Sequence, residues 1–136
     1  MTFPVDPADV RVAIIDDNDD NSYIAWRCVL EAGVPAKHCD IYAQGQAFLE
    51  AGKPYDVILL DIMLPVLDGF ELLLRIRSSD LVASATVIAM SASMMRGDVL
   101  RYQQAGFDGI IGKPYDPDEM PDRLRDLFAG QPVWSR

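Results

Sequence analysis

The sequence contains few basic residues and no long apolar run. Lysine and arginine total 12 against 21 aspartates and glutamates, so the formal net charge of the 136 residues is −9. A surface of that sign repels phosphate backbones, which argues against nucleic acid as a partner. No apolar run approaches the length of a membrane span, and residues 1–6 lack the basic and apolar regions of a secretion signal. We therefore expect a cytoplasmic protein that contacts neither nucleic acid nor a membrane.

Cysteine and histidine are scarce as well. The two cysteines, Cys28 and Cys39, have neither the spacing of a metal site nor that of a redox motif. We expect both thiols to be reduced, as is usual in the cytosol. The single histidine, His38, has no nucleophile or ligand set beside it in the sequence. It is therefore not a candidate phosphate donor.

Two patterns alternate along the rest of the chain. Half of the residues are apolar, which is enough for one domain with a buried core. Short apolar runs typical of strands alternate five times with periodic segments typical of helices. This alternation predicts an α/β fold in which helices cover both faces of a parallel sheet. The predicted strands span about residues 10–15, 37–42, 57–60, 85–90 and 107–111, and the predicted helices about 21–32, 44–51, 69–78, 94–105 and 116–128.

The segment from Tyr55 to Gly69 is central to the predicted site. Val57–Leu60 is an unbroken apolar run, typical of a strand buried on both faces of a parallel sheet. Asp61 follows directly, and Pro65 prevents the strand ladder from continuing. The segment therefore places a carboxylate at the carboxyl end of a strand, the edge at which open α/β sheets bind ligands.

Polar side chains follow other predicted strands at the same edge. Asp16 and Asp17 follow the first strand, Ser91 the fourth and Lys113 the fifth. Carboxylates that lie this close together repel each other unless a cation joins them, and hard oxygen ligands suit Mg²⁺. Mg²⁺, the Lys113 ammonium and the Ser91 hydroxyl would then surround a phosphoryl group that approaches Asp61. Since phosphoryl transfer needs mainly positioning and electrostatic stabilisation, the sequence predicts that Asp61 is a nucleophile that forms an aspartyl phosphate.

In this order, the motifs resemble the receiver (response-regulator) domain of two-component phosphorelay signalling. The matching stretches are residues 15–18, 61–69, 91–92 and 106–114. The resemblance covers about residues 9–129, which leaves 1–8 as an N-terminal lead-in and 130–136 as a C-terminal tail. It implies a flavodoxin-like, doubly wound fold with five parallel strands in the order 2-1-3-4-5.

The resemblance also implies roles for the acids. It makes Asp61 the phosphoacceptor, which takes its phosphoryl group from a phosphohistidine on a sensor histidine kinase or a phosphotransfer protein. It makes Asp17, Asp61 and the backbone carbonyl of Met63 direct ligands of Mg²⁺ or Mn²⁺, with Asp16 acting through a bound water. We thus expect a switch that supports its own phosphorylation and dephosphorylation, and not an enzyme with a separate substrate.

The remaining motif residues are assigned in the same way. Ser91 and Lys113 are the implied phosphate-binding and switch residues, and the bond before Pro114 is often cis in the family. Receivers commonly carry tyrosine or phenylalanine three residues before the lysine, where the ring swings inward, but this chain has Ile110. We therefore expect the signal to pass through the loop after Ser91 and the helix that follows it. Tyr102, in that helix, is interpreted as a core or half-buried aromatic residue.

Output is expected through protein–protein contact, as in single-domain response regulators, because the chain ends a few residues after its last predicted helix. The fourth helix, fifth strand and fifth helix form the expected contact surface for a downstream partner or a homodimer. The C-terminal tail offers a second route, in which Trp134 docks on its own domain or on a neighbouring subunit.

Two alternative functions remain open. One is a receiver-like scaffold that binds partners without phosphorylation, for which Ile110 gives mild support. The other is a Mg²⁺-dependent aspartyl phosphohydrolase of the haloacid-dehalogenase type. Those enzymes need a second acid two residues after the nucleophile, and this chain has Met63 at that position.

Overall fold

The computed structural model describes residues 3–92 and 95–134. Within them, strands and α-helices alternate as the sequence predicts. The elements are β1 (Val12–Ile15), α1 (Asp19–Glu31), β2 (Cys39–Tyr42), α2 (Gly45–Ala51), β3 (Val57–Asp61), α3 (Gly69–Arg77), β4 (Thr86–Ser91), α4 (Arg96–Ala105), β5 (Gly109–Gly112) and α5 (Met120–Phe128). The strands form one parallel sheet in the order β2-β1-β3-β4-β5, which confirms the predicted fold class and strand order.

Alternate residues of the central strands point to opposite faces of the sheet, so two hydrophobic layers form. Val12 and Ile14 of β1 belong to one layer, which α1 and α5 cover. Ala13 and Ile15 belong to the other layer, which α2, α3 and α4 cover. Every residue of β1 and β3 is buried, as their continuous apolar runs predict. The ends of these strands are therefore fixed positions on which a site can be built.

Several elements begin at residues other than those predicted, α1 and β2 among them. α1 begins at Asp19, earlier than predicted, because the side chain of Asn18 accepts a hydrogen bond of 2.9 Å from the amide of Asn21 and so caps the helix. β2 begins at Cys39, later than predicted, because residues 36–38 form a short 3₁₀ helix. Both differences lie at the start of an element, so neither moves the carboxyl edge of the sheet.

The last two helices start later than predicted. α4 begins at Arg96, with Met95 as its N-cap residue, and the predicted first residue, Met94, lies outside the described residues. α5 begins at Met120 because residues 117–119 form a turn, closed by hydrogen bonds to the carbonyl oxygen of Asp116. None of the described helices combines the length and the apolar character that a membrane crossing requires.

The C-terminal tail packs on its own domain. The carbonyl oxygen of Val133 accepts a hydrogen bond of 2.8 Å from the amide of Ile110, in β5. The Val133 side chain is buried, and Trp134 packs against the layer that α2, α3 and α4 cover. The lead-in is attached as well, since the amide of Val5 donates a hydrogen bond of 2.8 Å to the carbonyl of Phe128. Trp134 thus contacts its own domain, which is one of the two predicted routes, and its contact with a neighbouring subunit stays a prediction.

The close approach of the tail to β5 can be tested at Gly109. A Cβ atom on Gly109 would lie 2.6 Å from Cγ2 of Val133 and 2.9 Å from Cδ1 of Ile88, so the substitution Gly109→Ala overpacks this contact. We expect Gly109→Ala to lower the free energy of unfolding by about 1–3 kcal/mol in urea denaturation followed by tryptophan fluorescence. The matched control is Gly97→Ala in α4, where a Cβ atom would meet nothing within 4 Å, and a gain of about 0.5–1 kcal/mol is expected. Equal stability of the two variants would contradict the tail packing.

The two cysteines allow a second test of the core. Burial raises the pKa of the Cys28 thiol to about 11 and that of the Cys39 thiol to about 12, so at pH 8 about one Cys28 in a thousand is the reactive thiolate. We expect neither thiol to react with Ellman's reagent in the native protein at pH 8, and both to react in urea. Cys28→Ala and Cys39→Ala would identify the source of any native signal. Rapid labelling of either thiol in the folded protein would contradict the packing of α1 and β2.

Candidate functional site

The strand ends at one edge of the sheet carry the polar side chains of the candidate site. Asp16 and Asp17 follow β1, Asp61 and Ser91 are the last residues of β3 and β4, and Lys113 follows β5. Because all strands are parallel, these residues share the carboxyl edge, as predicted. Asp16, Asp61 and Ser91 are buried, whereas Asp17 is exposed to solvent. The edge therefore has a buried interior and one acid that faces water.

The three carboxylates of this group lie close together. Asp16, Asp17 and Asp61 each have an oxygen within 4.8 Å of an oxygen of the other two. The Lys113 Nζ atom lies 3.2 Å from Oδ2 of Asp16 and 3.0 Å from Oδ1 of Asp61, and only 17% of the lysine side chain is exposed. Two buried negative charges thus share one positive charge, and the group as a whole keeps an excess of negative charge.

Asp16 is held by hydrogen bonds on both carboxylate oxygens. Oδ1 accepts from the amide of Asn18 at 2.9 Å, and Oδ2 accepts from the hydroxyl of Tyr115 at 3.4 Å. Burial raises the pKa of the Tyr115 phenol well above its ordinary value, so the phenol stays protonated and remains a donor. Burial also raises the pKa of Asp16 above 3.8, against the opposing effects of the Asn18 amide and Lys113, while the charge of Asp61 adds to the rise. The ionised form of Asp16 is therefore less favourable here than in water, and a further cation would favour it.

Asp61 is positioned by the loop that follows β3. The amide of Met63 donates a hydrogen bond of 3.0 Å to Oδ1 of Asp61, and the Met63 side chain is 80% exposed. The loop then returns to the strand, where the amide of Gly69 donates to the carbonyl of Ile62 at 3.1 Å. A Cβ atom on residue 69 would lie 2.8 Å from Cα of Ile62, so α3 can begin this close to the strand only with glycine. The metal-binding role of the Met63 carbonyl stays a prediction.

Lys113 is positioned by the ends of β4 and β5. Its amide donates a hydrogen bond of 2.8 Å to the carbonyl of Ser91, and this bond continues the pairing of the two strands. The peptide bond between Lys113 and Pro114 is cis, as is common in the family that the sequence resembles. The backbone of the lysine is therefore fixed beside Ser91, while its side chain reaches across the edge to β1 and β3.

The hydroxyl of Ser91 has a partner that sequence reasoning missed. The hydroxyl of Tyr102 lies 2.9 Å from Oγ of Ser91, and either group can be the donor. Tyr102 is buried, which agrees with the first of its two interpretations, core or half-buried, but no sequence pattern connects it to Ser91. The general rule that a buried tyrosine hydroxyl needs a hydrogen-bond partner could have indicated that Tyr102 has one, but not which residue it is. Ile110, at the position that departs from the family, is fully buried and offers no side-chain hydrogen bond.

The residues present suit a small, hard cation. All three ligands that the acids offer are carboxylate oxygens, and oxygen is the ligand that Mg²⁺ prefers. Lys113 is the one basic side chain that forms an ion pair with them in the described part of the chain. Since one ammonium group cannot balance three carboxylates, a divalent cation would complete the charge balance.

A surface cleft of about 680 Å³ opens beside Lys113. It lies between the beginnings of α4 and α5, and its walls include Met95, Glu119, Met120 and Arg123. The Nε atom of Arg123 is buried and has no hydrogen-bond partner among the described residues. The cleft therefore connects the site to the surface formed by α4, β5 and α5.

The chain matches the family model of the response regulator receiver domain over residues 12–125. A curated relative is the DNA-binding dual master transcriptional regulator RpaA of Synechocystis sp., which is 32% identical over 118 residues. That match covers 87% of this chain and 48% of the relative. The chain spans about half the length, or less, of this and similar curated relatives.

Solved structures show the same fold. The BeF₃-activated receiver domain of DrrB, from Thermotoga maritima, has a TM-score of 0.74 at 23% identity, and the match covers 90% of this chain and 98% of that one. The receiver domain of the sensor histidine kinase PA1611 from Pseudomonas aeruginosa PAO1, solved with magnesium in its active site cleft, has a TM-score of 0.73 at 26% identity over 90% of this chain and 98% of that one. The family match, the strand order and the shared fold agree. This chain therefore belongs to the response regulator receiver domains, the signalling switches of two-component systems.

Proposed function

We propose that this receiver accepts a phosphoryl group on Asp61 from a phosphohistidine of a sensor histidine kinase or a phosphotransfer protein. The observation that carries the proposal is the contact of 3.0 Å between Nζ of Lys113 and Oδ1 of Asp61, inside a group of three carboxylates. A nucleophilic carboxylate, a fixed cation and acids able to hold a second cation are the parts that phosphoryl transfer requires.

The proposed reaction is an in-line displacement at phosphorus. An oxygen of Asp61 bonds to phosphorus on the side opposite the histidine nitrogen, and the phosphorus–nitrogen bond breaks. The electron pair of that bond stays on nitrogen, and the ring leaves as neutral imidazole because its other nitrogen carries a proton. Asp61 is buried but lies at the carboxyl edge of the sheet. The phosphohistidine therefore has to approach it from that edge.

Lys113 and Ser91 would bind the oxygens of the transferred group. The Lys113 ammonium already contacts Asp61, so it lies next to the position where the phosphoryl charge arrives. The hydrogen bond of 2.8 Å between the Lys113 amide and the Ser91 carbonyl fixes the backbones of these two residues beside each other, at the ends of β5 and β4. Donors that are already in place stabilise charge without reorganising when it arrives.

Asp17, Asp61 and the Met63 carbonyl are the proposed direct ligands for Mg²⁺, or for Mn²⁺ as a substitute, and Asp16 is proposed to act through a metal-bound water. When bound, the ion would neutralise the acids and withdraw charge from a phosphoryl oxygen. The magnesium in the related PA1611 receiver supports this assignment. Asp17 supports it too, because its exposure leaves room for the water ligands that Mg²⁺ retains.

The surface formed by α4, β5 and α5 is the proposed contact for a downstream protein partner, or for a second copy in a homodimer. The cleft beside Lys113 opens on this surface, with the highly exposed Met95 on one wall and Arg123 on another. A shift of Lys113 toward a phosphoryl group would change the shape of that cleft. We assign this function to a unit that spans residues 9–129, and the net charge of −9 argues against nucleic acid as its direct partner.

Phosphorylation can be tested by intact mass after incubation with acetyl phosphate and Mg²⁺. We expect one phosphoryl adduct on the wild-type protein and none on Asp61→Asn, because an amide cannot serve as the nucleophile. Excess EDTA is expected to abolish the adduct. The matched control is Asp122→Asn, which changes a well-exposed acid that pairs with Arg125 in α5 and is expected to keep the adduct.

Two results would contradict this assignment. An adduct that persists in Asp61→Asn would place the phosphoryl group on another residue. A folded wild-type protein that forms no adduct, with acetyl phosphate or with a phosphohistidine donor, would favour the phosphorylation-independent scaffold, in which Ile110 has replaced the switch aromatic.

Metal binding can be tested without phosphate through thermal unfolding. A ligand that binds only the folded state stabilises it by about 2.7 kcal/mol at a concentration 100 times its dissociation constant. We expect the Tm to rise with the logarithm of the Mg²⁺ concentration in the wild type, and the rise to be lost in Asp17→Asn. Asp19→Asn, which changes a nearby exposed acid at the start of α1, is expected to keep it. An equal rise in Asp17→Asn and the wild type would contradict the proposed ligand set.

A further inference from the structure

We infer that Tyr102 positions the Ser91 hydroxyl for the phosphoryl group and carries the state of the site into α4. This inference rests on the proposed phosphorylation of Asp61. It assigns the hydrogen-bond partner of the switch residue Ser91 to helix α4. Its basis is the hydrogen bond of 2.9 Å between Oγ of Ser91 and the hydroxyl of Tyr102. The bond is buried at both ends, since Ser91 is 4% and Tyr102 is 2% exposed.

The hydrogen bond between Ser91 and Tyr102 can run in either direction, and a bound phosphoryl group would allow only one of them. A serine hydroxyl has one proton to donate, whereas its oxygen can accept. Without a phosphoryl group, either Ser91 or Tyr102 can be the donor of their shared bond. Once Ser91 donates its proton to a phosphoryl oxygen, only Tyr102 can donate within the pair. The result is a relay from Tyr102 to Ser91 to the phosphoryl group, and hydrogen bonds in such chains strengthen one another, most of all toward a charged acceptor.

The ring of Tyr102 is packed among other rings, so the relay has a rigid base. Its centroid lies 5.8 Å from that of Phe70 in α3 and 6.1 Å from that of Phe107, and Phe70 and Phe107 meet edge to face at 5.7 Å. The guanidinium carbon of Arg101 lies 4.3 Å from the Phe70 centroid and covers this cluster. A displacement of Ser91 toward Asp61 must therefore either pull Tyr102, and α4 with it, or lengthen the bond.

Ile110, the position on β5 where receivers commonly carry an aromatic residue, cannot take the role of Tyr102 as a hydrogen-bond partner of Ser91. Ile110 is fully buried and has no side-chain group that can form a hydrogen bond. The backbone amide of Ile110 is occupied as well, because it donates to the carbonyl of Val133 in the tail. Within the described residues, the aromatic hydroxyl that Ser91 meets is supplied by α4.

The test compares Tyr102→Phe with the wild-type full chain, since this substitution removes one oxygen and keeps the packed ring. Two quantities are measured with Mg²⁺: the concentration of beryllofluoride, a phosphoryl analogue, at half saturation, and the change in amide hydrogen exchange across α4 upon its binding. We expect half saturation of Tyr102→Phe to need about two to ten times more beryllofluoride, the value of one hydrogen bond. We also expect the exchange response of α4 to be lost at saturation.

A matched control separates the relay from a general loss of stability. Tyr55→Phe removes the hydroxyl of another buried tyrosine, which donates to Asp40 at 2.6 Å and contacts the hydroxyl of Tyr42, both in the edge strand β2. We expect Tyr55→Phe to reduce stability while both beryllofluoride readouts stay at wild-type values. If Tyr55→Phe shifted them as much as Tyr102→Phe does, the inference would be overturned.

A double-mutant cycle with Ser91→Ala decides whether Tyr102 acts through Ser91. We expect Tyr102→Phe to have no further effect on beryllofluoride binding once Ser91 is alanine. Additive effects, or a Tyr102→Phe protein that matches the wild type in both readouts, would overturn the inference and leave the phosphorylation of Asp61 intact. A wild-type protein that forms no Asp61 adduct and gives no response to beryllofluoride would overturn both.

Discussion

The sharing of one ammonium group between two buried carboxylates is the interaction on which the site depends. Asp16 and Asp61 lie at the ends of neighbouring strands, and two negative charges side by side in a buried setting repel each other. Lys113 follows β5, the outermost strand on one side of the sheet. The charge balance of Asp16 and Asp61 therefore depends on the correct placement of the loop after β5. The balance is still incomplete, because Asp17 adds a third negative charge. This remaining charge makes the edge receptive to a metal ion.

The same edge carries two connections to the rest of the domain. Lys113 connects the acids to the cleft between α4 and α5, and Ser91 connects the neighbouring strand to Tyr102 inside α4. Both connections use groups already in contact, and both start from strands that are buried on their two faces. A small change at Asp61 can therefore reach the helical surface without any rearrangement of the sheet, because the parts that respond are side chains and a helix, and not the strands.

The sheet, and the position of the candidate site residues at its carboxyl edge, were predictable because each follows from a local pattern. Continuous apolar runs mark the buried strands, and the acids, the serine and the lysine come directly after them. The start of α1 was less predictable, because several neighbouring polar residues compete for the cap and only the structure shows that Asn18 has that role. The partner of Ser91 was not predictable at all. Tyr102 is interpreted from the sequence as a core or half-buried residue, but which atom its hydroxyl contacts depends on how α4 packs against β4.

The tail on β5 gives the sheet two unlike edges. On the β5 side the amide of Ile110 is already bonded to the tail, while the opposite edge is formed by β2, where the side chain of Ile41 is 44% exposed. Unpaired strand edges are the places where the sheets of separate molecules pair. By covering β5, the tail hinders this intermolecular pairing on the side of the proposed contact surface. A protein that seeks the backbone of β5 must also displace a competitor that is tethered to the same chain. Tethered segments compete at effective concentrations on the order of millimolar, so a protein that binds this strand edge weakly is at a disadvantage.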